Sequence, residues 1–312
     1  MGRAAIRVLA LGATLTALLA VCLLVVRPWY LGWGATGAEA LAPLPGDEII
    51  PGAAGQQTRA ITIHAPVDRV WPWLAQIGQD RGGFYSYDLL ENLIGCEMPT
   101  TDVLRPDRQA WQLGDKLWMY PREKAGGVGF ATLRAYVPWR ALGFGTHITG
   151  TPIEAPEDGS WSFALEPIDD ATTRLLVRGR GVARHSLIGV AFDRGIFEPL
   201  HLVMERRMLI GLRQVAEGQD RHRLANHAQV ALWTIAFVVM IACAVRVLRR
   251  ERWVRPLAGF VAAAAVFQIL TLVQPSPWTG AALLAAAIVT PGLKTRGSRP
   301  HPARATSSPE TA

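Results

Sequence analysis

The stretch Thr58-Arg59-Ala60-Ile61-Thr62-Ile63-His64-Ala65-Pro66-Val67-Asp68-Arg69-Val70-Trp71 decides how the middle of this chain folds. Its first half alternates, with Ile61 and Ile63 on one face, which is typical of a strand that is buried on one side. The segment 65–68 is typical of a helix N-terminus, and apolar residues follow it at helical spacing. The stretch therefore predicts a strand followed directly by a helix.

Further elements are predicted downstream of this unit. A second short helix is expected from Phe84 to Ile94, and a long helix from Ile196 to Glu217 has apolar residues at steps of three and four. Five short strands lie between them, at Lys116 to Tyr120, Gly129 to Val137, Ala141 to His147, Ser160 to Glu166 and Thr172 to Gly181. The order predicts an α+β fold in which a curved antiparallel sheet wraps around a long C-terminal helix.

The opening strand and helix resemble those of the SRPBCC superfamily, the START-like and polyketide-cyclase-like helix-grip proteins. Gly82-Gly83-Phe84-Tyr85-Ser86-Tyr87-Asp88 and Phe197-Glu198-Pro199-Leu200-His201 are similar to segments of a membrane-attached bacterial branch. The resemblance covers residues 58–217, and we expect a START-like helix-grip domain over 58–220. It implies a cavity between sheet and long helix that commonly holds an apolar ligand. Because lipid carriers, hormone receptors and cyclases share this fold, it does not imply one activity.

Apolar runs flank the predicted domain. Ile6 to Val26 is an uncharged run of 21 residues, long enough to cross the roughly 30 Å core of a bilayer as a helix. We predict an uncleaved transmembrane anchor over 1–27, a transmembrane helix over 226–248 and a transmembrane helical hairpin over 255–293. The Gly- and Pro-rich residues 28–57 are expected to be a linker, and residues 294–312 a disordered basic tail.

The arginines predict the orientation in the membrane. Five of them, Arg246, Arg249, Arg250, Arg252 and Arg255, lie in one short loop, and such loops stay cytoplasmic. With four crossings, both termini are then cytoplasmic and the helix-grip domain lies on the outer face of the cytoplasmic membrane.

The net charge of +7 belongs to those cytoplasmic segments, because residues 27–245 contain 21 basic and 23 acidic side chains. A nucleic-acid-binding domain would concentrate basic charge on its folded part, so that class is excluded. The expected partners are the bilayer and a hydrophobic small molecule or lipid. The sequence leaves protein partners open.

His201 is the candidate of greatest interest on the long helix, because it shares the apolar stripe with residues such as Phe197. A polar group buried there needs a partner, and Glu205 lies one turn further on. Two interpretations stay open: a pocket acid, base or headgroup ligand, and a core histidine satisfied by Glu205. Met204 and Met208 are equally open, since methionine lines adaptable pockets as well as ordinary cores.

The predicted ligand-binding residues are mostly aromatic. They are Phe84, Tyr85, Tyr87, Trp118, Trp161, Phe163, Phe197, His201, Met204 and Met208. We expect the cluster after Gly83 to form the rim of a ligand entrance, with Glu91 on a solvated helix face. Arg178 and Arg180 alternate with small and apolar residues and are expected on an exposed strand face.

Three functions follow from these residues. The favoured one is a non-catalytic domain that binds a lipid or other hydrophobic molecule, because no reactive group is recognisable. The alternative is a cyclase- or hydrolase-type enzyme in which His201 is the acid or base, supported by Asp88 or Glu205. The third is a scaffold with a filled core. We expect no metal and no cofactor, since the histidines are scattered and the GxGxxG match at 32–37 has no strand before it.

Overall fold

Six antiparallel strands form one sheet in the computed structural model, which describes residues 2–99, 102–124, 129–147, 152–184 and 186–289. The strands are β1 (Gly55–Ile63), β2 (Lys116–Trp118), β3 (Phe130–Val137), β4 (Ala141–Thr146), β5 (Gly159–Asp169) and β6 (Thr172–Gly181). Their order across the sheet is β1-β6-β5-β4-β3-β2. The α+β class with an antiparallel sheet is thus confirmed.

The helices are divided between the sheet and a separate bundle. They are α1 (Arg3–Val21), α2 (Arg27–Leu31), α3 (Gly37–Leu41), α4 (Val67–Ala75), α5 (Asp88–Leu93), α6 (Leu187–Phe192), α7 (Glu198–Ala216), α8 (Arg223–Arg249), α9 (Val254–Leu272) and α10 (Pro277–Val289). A π-helical turn, Cys22–Val26, joins α1 to α2, and another, Asp193–Phe197, joins α6 to α7. The long helix therefore starts well upstream of its predicted beginning at Ile196.

One face of the sheet packs against α4 and α7. Ile61 and Ile63 of β1 point into this core, as their alternation predicts, and Leu74 of α4 and Leu209 of α7 are fully buried opposite them. At Gly211 the helix approaches the chain at Tyr85 so closely that a Cβ atom would lie 2.1 Å from the Tyr85 carbonyl oxygen. The sheet and α7 (Glu198–Ala216), which we call the grip helix, thus enclose an apolar core.

The other face of the sheet is covered by the segment that we expected to be a linker. Residues 28–57 contain most of α2, all of α3 and the start of β1, and Leu44 packs against Ala60 and Leu176 on that face. The prediction of an exposed strand face at Arg178 is wrong, since Arg178 is 2% exposed. Its guanidinium binds Asp47 at 2.7 Å and backbone carbonyls of the covering segment, and Arg180 donates to the Asp47 carbonyl. A strand face is buried wherever another segment lies on it, which alternation alone does not report.

The bundle consists of α1, α8, α9 and α10. By length and composition, three helices in the described part could cross a bilayer: Arg3–Leu31, Arg223–Arg249 and Val254–Leu272, with mean hydropathies of 2.6, 2.3 and 1.6. At about 1.5 Å per residue, the 13 residues of α10 span about 20 Å, less than a bilayer core. Residues 290–293 of the predicted hairpin and the predicted tail 294–312 lie outside the described residues.

Polar contacts join the sheet domain to the bundle. The Tyr87 hydroxyl donates to Gln229 Oε1 at 2.7 Å, and its ring packs edge-on against Trp233 of α8. Arg206 of α7 donates to the carbonyls of Leu272 and Val273 at the end of α9. A guanidinium at a helix C-terminus satisfies carbonyls that have no partner within the helix. The grip helix is therefore attached to the bundle through side chains on the face opposite the core.

Candidate functional site

A buried charge array lies between β1, β5 and α7, consisting of Arg59, Glu205, His201 and Trp161. Arg59 Nη1 donates to Glu205 Oε1 at 2.6 Å, with both side chains almost fully buried. Glu205 Oε2 accepts from Trp161 Nε1 at 2.8 Å and contacts His201 Nε2 at 2.8 Å. The remaining Arg59 donors reach the Tyr30 carbonyl and Gln57 Oε1, at 3.0 and 2.8 Å. The array thus links α2, the sheet and α7.

Glu205 is ionised inside the protein. Burial on its own raises the pKa of the Glu205 carboxyl, but the charges of Arg59 and then His201, with their hydrogen bonds, outweigh it and lower the pKa to about 2. Two ions taken out of water are stable only with close geometry and further hydrogen bonds, which Trp161 and Gln57 supply here. The Glu205 carboxylate is therefore a negative charge held beside His201, and the Arg59 guanidinium balances it.

His201 connects this charge to aromatic surroundings. Its ring stacks on Phe197 at 5.6 Å between centroids and meets Trp161 edge-on at 5.9 Å. Trp161 in turn lies 4.6 Å from Phe163 and 6.0 Å from Phe84. About a quarter of the His201 side chain is exposed, whereas its carboxylate partner is buried. The histidine is thus the accessible end of the array.

The structure brings only part of the predicted ligand-binding set together. The residues in or against the apolar core are Phe84, Tyr85, Trp161, Phe163 and Met208. Tyr87 and Met204 instead pack with the helical bundle, and Phe197 is more than one-third exposed. At β2 it is Leu117 that enters the core, while Trp118 packs on Phe130 and under the Arg122 guanidinium. A strand directs neighbouring residues to opposite faces, and the sequence did not specify which of the two points inward.

Asp88 belongs to a different set of charges. Its carboxylate binds Arg221 at 2.9 Å, and Arg221 and Arg223 also bind Asp102. Of the two residues proposed to support His201, Glu205 is the one in contact. Glu91 is buried, not on a solvated face as expected; burial, and next the charge of Asp88, raise the pKa of its carboxyl to about 7.

Two of the surface grooves on the described part of the chain are lined by residues outside α7. The larger, of about 540 Å³, lies along β2 and β3 and includes Lys116, Phe130 and Glu157. The smaller, of about 320 Å³, is lined by Asp80, Arg81, Asp107, Arg108 and Ala110. Between the sheet and α7, side chains such as Phe144, Phe163 and Leu212 are fully buried against one another. Within the described ranges, no group of three or more His, Cys, Asp or Glu side chains is placed to hold a metal ion.

From the sequence we missed Arg59, which belongs to the array, and the nearby pair of Arg27 and Glu198. Arg59 lies on the same face of β1 as Ile61 and Ile63, because it is two residues before Ile61. The alternation of β1 alone could therefore have indicated that the Arg59 side chain points toward the core. Arg27 binds Glu198 through two contacts of 2.6 and 2.7 Å, and the Tyr30 hydroxyl donates to the same carboxylate. No local pattern indicates that pairing, since 171 residues separate Arg27 from Glu198.

Comparison with known proteins gave matches among solved structures only. No family model and no curated protein matches this sequence. A protein from Bordetella parapertussis is 19% identical, with a TM-score of 0.30, and the match covers 54% of this chain and 77% of that chain. A protein from Mesorhizobium loti is 14% identical, with a TM-score of 0.29, and the match covers 53% of this chain and 99% of that chain. A polyketide-cyclase-like protein from Corynebacterium glutamicum is 14% identical, with a TM-score of 0.26, and the match covers 52% of this chain and 91% of that chain. At these values the matches carry no functional assignment.

Proposed function

We propose that this chain is a membrane-tethered helix-grip domain that binds an amphiphilic molecule, a lipid or another hydrophobic compound with a polar group, beside His201. The observation that carries the proposal is the array itself: an ionised carboxylate buried in an aromatic core reaches the surface through one partly exposed histidine. Ligand sites are mostly apolar, with a few placed polar groups that fix orientation. Phe197, Trp161 and Phe84 would hold the apolar part and His201 the polar group.

Binding is favoured over turnover by the contacts of His201. Its ring meets one carboxylate and two aromatic side chains, Phe197 and Trp161. A histidine with a carboxylate can move a proton, but covalent catalysis also needs a nucleophile within hydrogen-bond reach of the base. The cyclase or hydrolase alternative would therefore rest on acid–base chemistry by His201 and Glu205 alone.

The proposed tether places the domain at one end of the bundle. Arg7 donates to the Arg250 carbonyl at 2.9 Å, so the arginine-bearing ends of α1 and α8 meet. The sheet domain lies at the opposite end, where Arg27 and Leu272 contact α7. Since arginine-rich ends stay in the cytoplasm, the domain would lie on the outer face of the cytoplasmic membrane.

A scaffold is the second candidate, and one observation favours it. The space between sheet and grip helix is occupied by the protein's own side chains, among them Phe144, Phe163 and Met208, each at most 2% exposed. In that case the array would only stabilise the packing of β1, β5 and α7 against one another. The bundle would then recruit a partner protein.

Native mass spectrometry of the full-length chain, released from nanodiscs after incubation with bacterial lipid extract, separates these candidates. We expect a reproducible bound mass in the wild type and its loss in His201→Gln. His64→Gln, at an exposed histidine just after β1, is the matched control and should keep the bound mass. A folded wild type that stays ligand-free would contradict the binding proposal and favour the scaffold.

A further inference from the structure

The first part of the long helix carries an uncovered row of large apolar side chains. Ile188, Phe192, Ile196 and Leu200 are 83%, 51%, 51% and 62% exposed. They recur every fourth residue, so they follow one side of the continuous helix formed by α6, the π-helical turn and α7. We call these four residues the apolar row. Monomeric soluble proteins rarely expose contiguous apolar surface of this kind, so the row indicates a contact surface.

The apolar row continues a face that is already docked. One turn further along α7, Val203 and Met204 pack against the bundle cluster that includes Trp233 of α8 and Leu270 of α9. The same side of one helix is thus covered by the bundle after Leu200 and uncovered before it. Three helices of this bundle are long and apolar enough to cross a bilayer. The surroundings of the bundle, and therefore of the uncovered row beside it, are then expected to be membrane hydrocarbon.

The level of the apolar row along the bundle fits the membrane boundary. Glu198 lies within the helix between Ile196 and Leu200 and binds Arg27 and Tyr30, at the end of the first candidate membrane helix. At this same end, Trp29 of α2 and Trp278 of α10 are strongly exposed. Tryptophan is enriched where membrane hydrocarbon meets water, because its ring is apolar and its N–H is polar.

Polar groups accompany the row on the same helix. Asp193 on this helix accepts from Arg184, which precedes the helix, at 2.8 Å, and Arg194 is exposed. A helix with apolar residues along one side and charged residues elsewhere is typical of segments that lie in the plane of a membrane interface.

We propose that Leu187–Leu200 is an interfacial helix whose apolar row is buried among the lipid chains of the leaflet next to the sheet domain. The partner is the lipid surface beside the bundle. The proposal goes beyond ligand binding at His201 and does not depend on it, because it requires no occupant in the domain. It does require that the bundle spans the bilayer.

Spin labels on the full-length chain test the proposal in nanodiscs of phosphatidylcholine and phosphatidylglycerol. Single labels are placed by Ile188→Cys or Phe192→Cys in a Cys22→Ala background, where Cys96 and Cys243 are buried. Asp170→Cys, in the exposed turn between β5 and β6, is the control. We expect the labels at 188 and 192 to collide several-fold more with oxygen than with a water-soluble nickel chelate, and the control to show the reverse. Preferential nickel collisions at both 188 and 192 would overturn the proposal.

A second measurement uses the unlabelled, unsubstituted chain, so it does not depend on the cysteine variants folding. A phospholipid with a photoreactive acyl chain is incorporated into the nanodiscs, and the adducts are mapped by mass spectrometry. We expect adducts within 187–200 as well as in the membrane helices. Adducts confined to the membrane helices would show that water faces the row and would overturn the proposal. In the spin-label experiment, dipolar broadening between labels of two chains would show that a second copy faces the row, which would also overturn it.

Discussion

Glu91 shows at the scale of one residue how burial sets a protonation state. The residue is 7% exposed, and its Oε2 has no hydrogen-bond partner among the described residues. Burial and the neighbouring Asp88 raise the pKa from 4.5 to about 7, so the folded state binds this proton more tightly than the unfolded state. The contribution of this protonated carboxyl to the free energy of unfolding is fully present below pH 4.5, and it is lost as the pH rises through 7.

Glu91→Gln should therefore stabilise the protein in alkaline but not in acidic buffer. At about 1.4 kcal/mol per pKa unit, the gain at pH 8 is on the order of 3 kcal/mol, and at pH 4 it should vanish. Thermal unfolding of the full chain at both pH values measures it, as a higher Tm of the variant at pH 8. Glu97→Gln, at a surface pair with Lys124, is the control and should change Tm little. An unchanged Tm for Glu91→Gln at pH 8 would mean that the carboxyl is solvated.

How far single residues can be predicted from the sequence is clear from His201 and Arg178. The contact of His201 with Glu205 could be anticipated, since both residues lie one turn apart on one helix. The burial of Arg178 could not, because Asp47 and Glu39 cover it from a segment more than 130 residues away. Local spacing constrains neighbours on one element and says nothing about which distant segment covers a face.

At the scale of elements, the close contact of α7 with the Tyr85 backbone depends on a glycine at position 211. Glycine inside a helix normally costs about 1 kcal/mol relative to alanine, so Gly→Ala is usually stabilising. At Gly211 the order is reversed, because the added Cβ would lie 2.1 Å from the Tyr85 oxygen. We expect Gly211→Ala to destabilise the protein by ~1–3 kcal/mol through overpacking.

Chemical denaturation of the full-length variants measures this effect. Gly195→Ala, in the same continuous helix but with nothing within 4 Å of the added atom, should be neutral or slightly stabilising. If both substitutions behaved alike, the close approach of α7 to Tyr85 would be absent in solution.

The elements also differ in how well the sequence predicted their limits. β6 has its predicted bounds, because its alternation is regular and both ends are marked by turns. The helix expected from Phe84 begins only at Asp88, since Tyr85 has a positive φ of 55° that a right-handed helix does not accommodate. In this conformation the Tyr85 hydroxyl donates to the Trp73 carbonyl and accepts from Gln76 Nε2, contacts that no local pattern contains.

At the scale of the whole molecule, the proposed topology predicts the outcome of reporter fusions. Alkaline phosphatase, active only outside the cytoplasm, should be active when fused after residue 220 and inactive when fused after residue 250. The reason is that α8 would cross the membrane between the two positions and end in the arginine-rich loop. Activity at 250 and none at 220 would invert the topology, and the apolar row would then contact the inner leaflet.

The sequence by itself determined the six strands, α4, most of α7 and the long apolar helices, because such elements depend on periodicity and hydropathy over a few neighbouring residues. The tertiary structure alone decided that residues 28–57 cover the sheet and that Trp118 is buried against Phe130 and not in the cluster that contains Leu117. It also decided that Arg59 meets Glu205 across 146 residues. Such contacts join residues distant in sequence, and they form because a buried charge or an apolar face must find a partner somewhere in the folded chain.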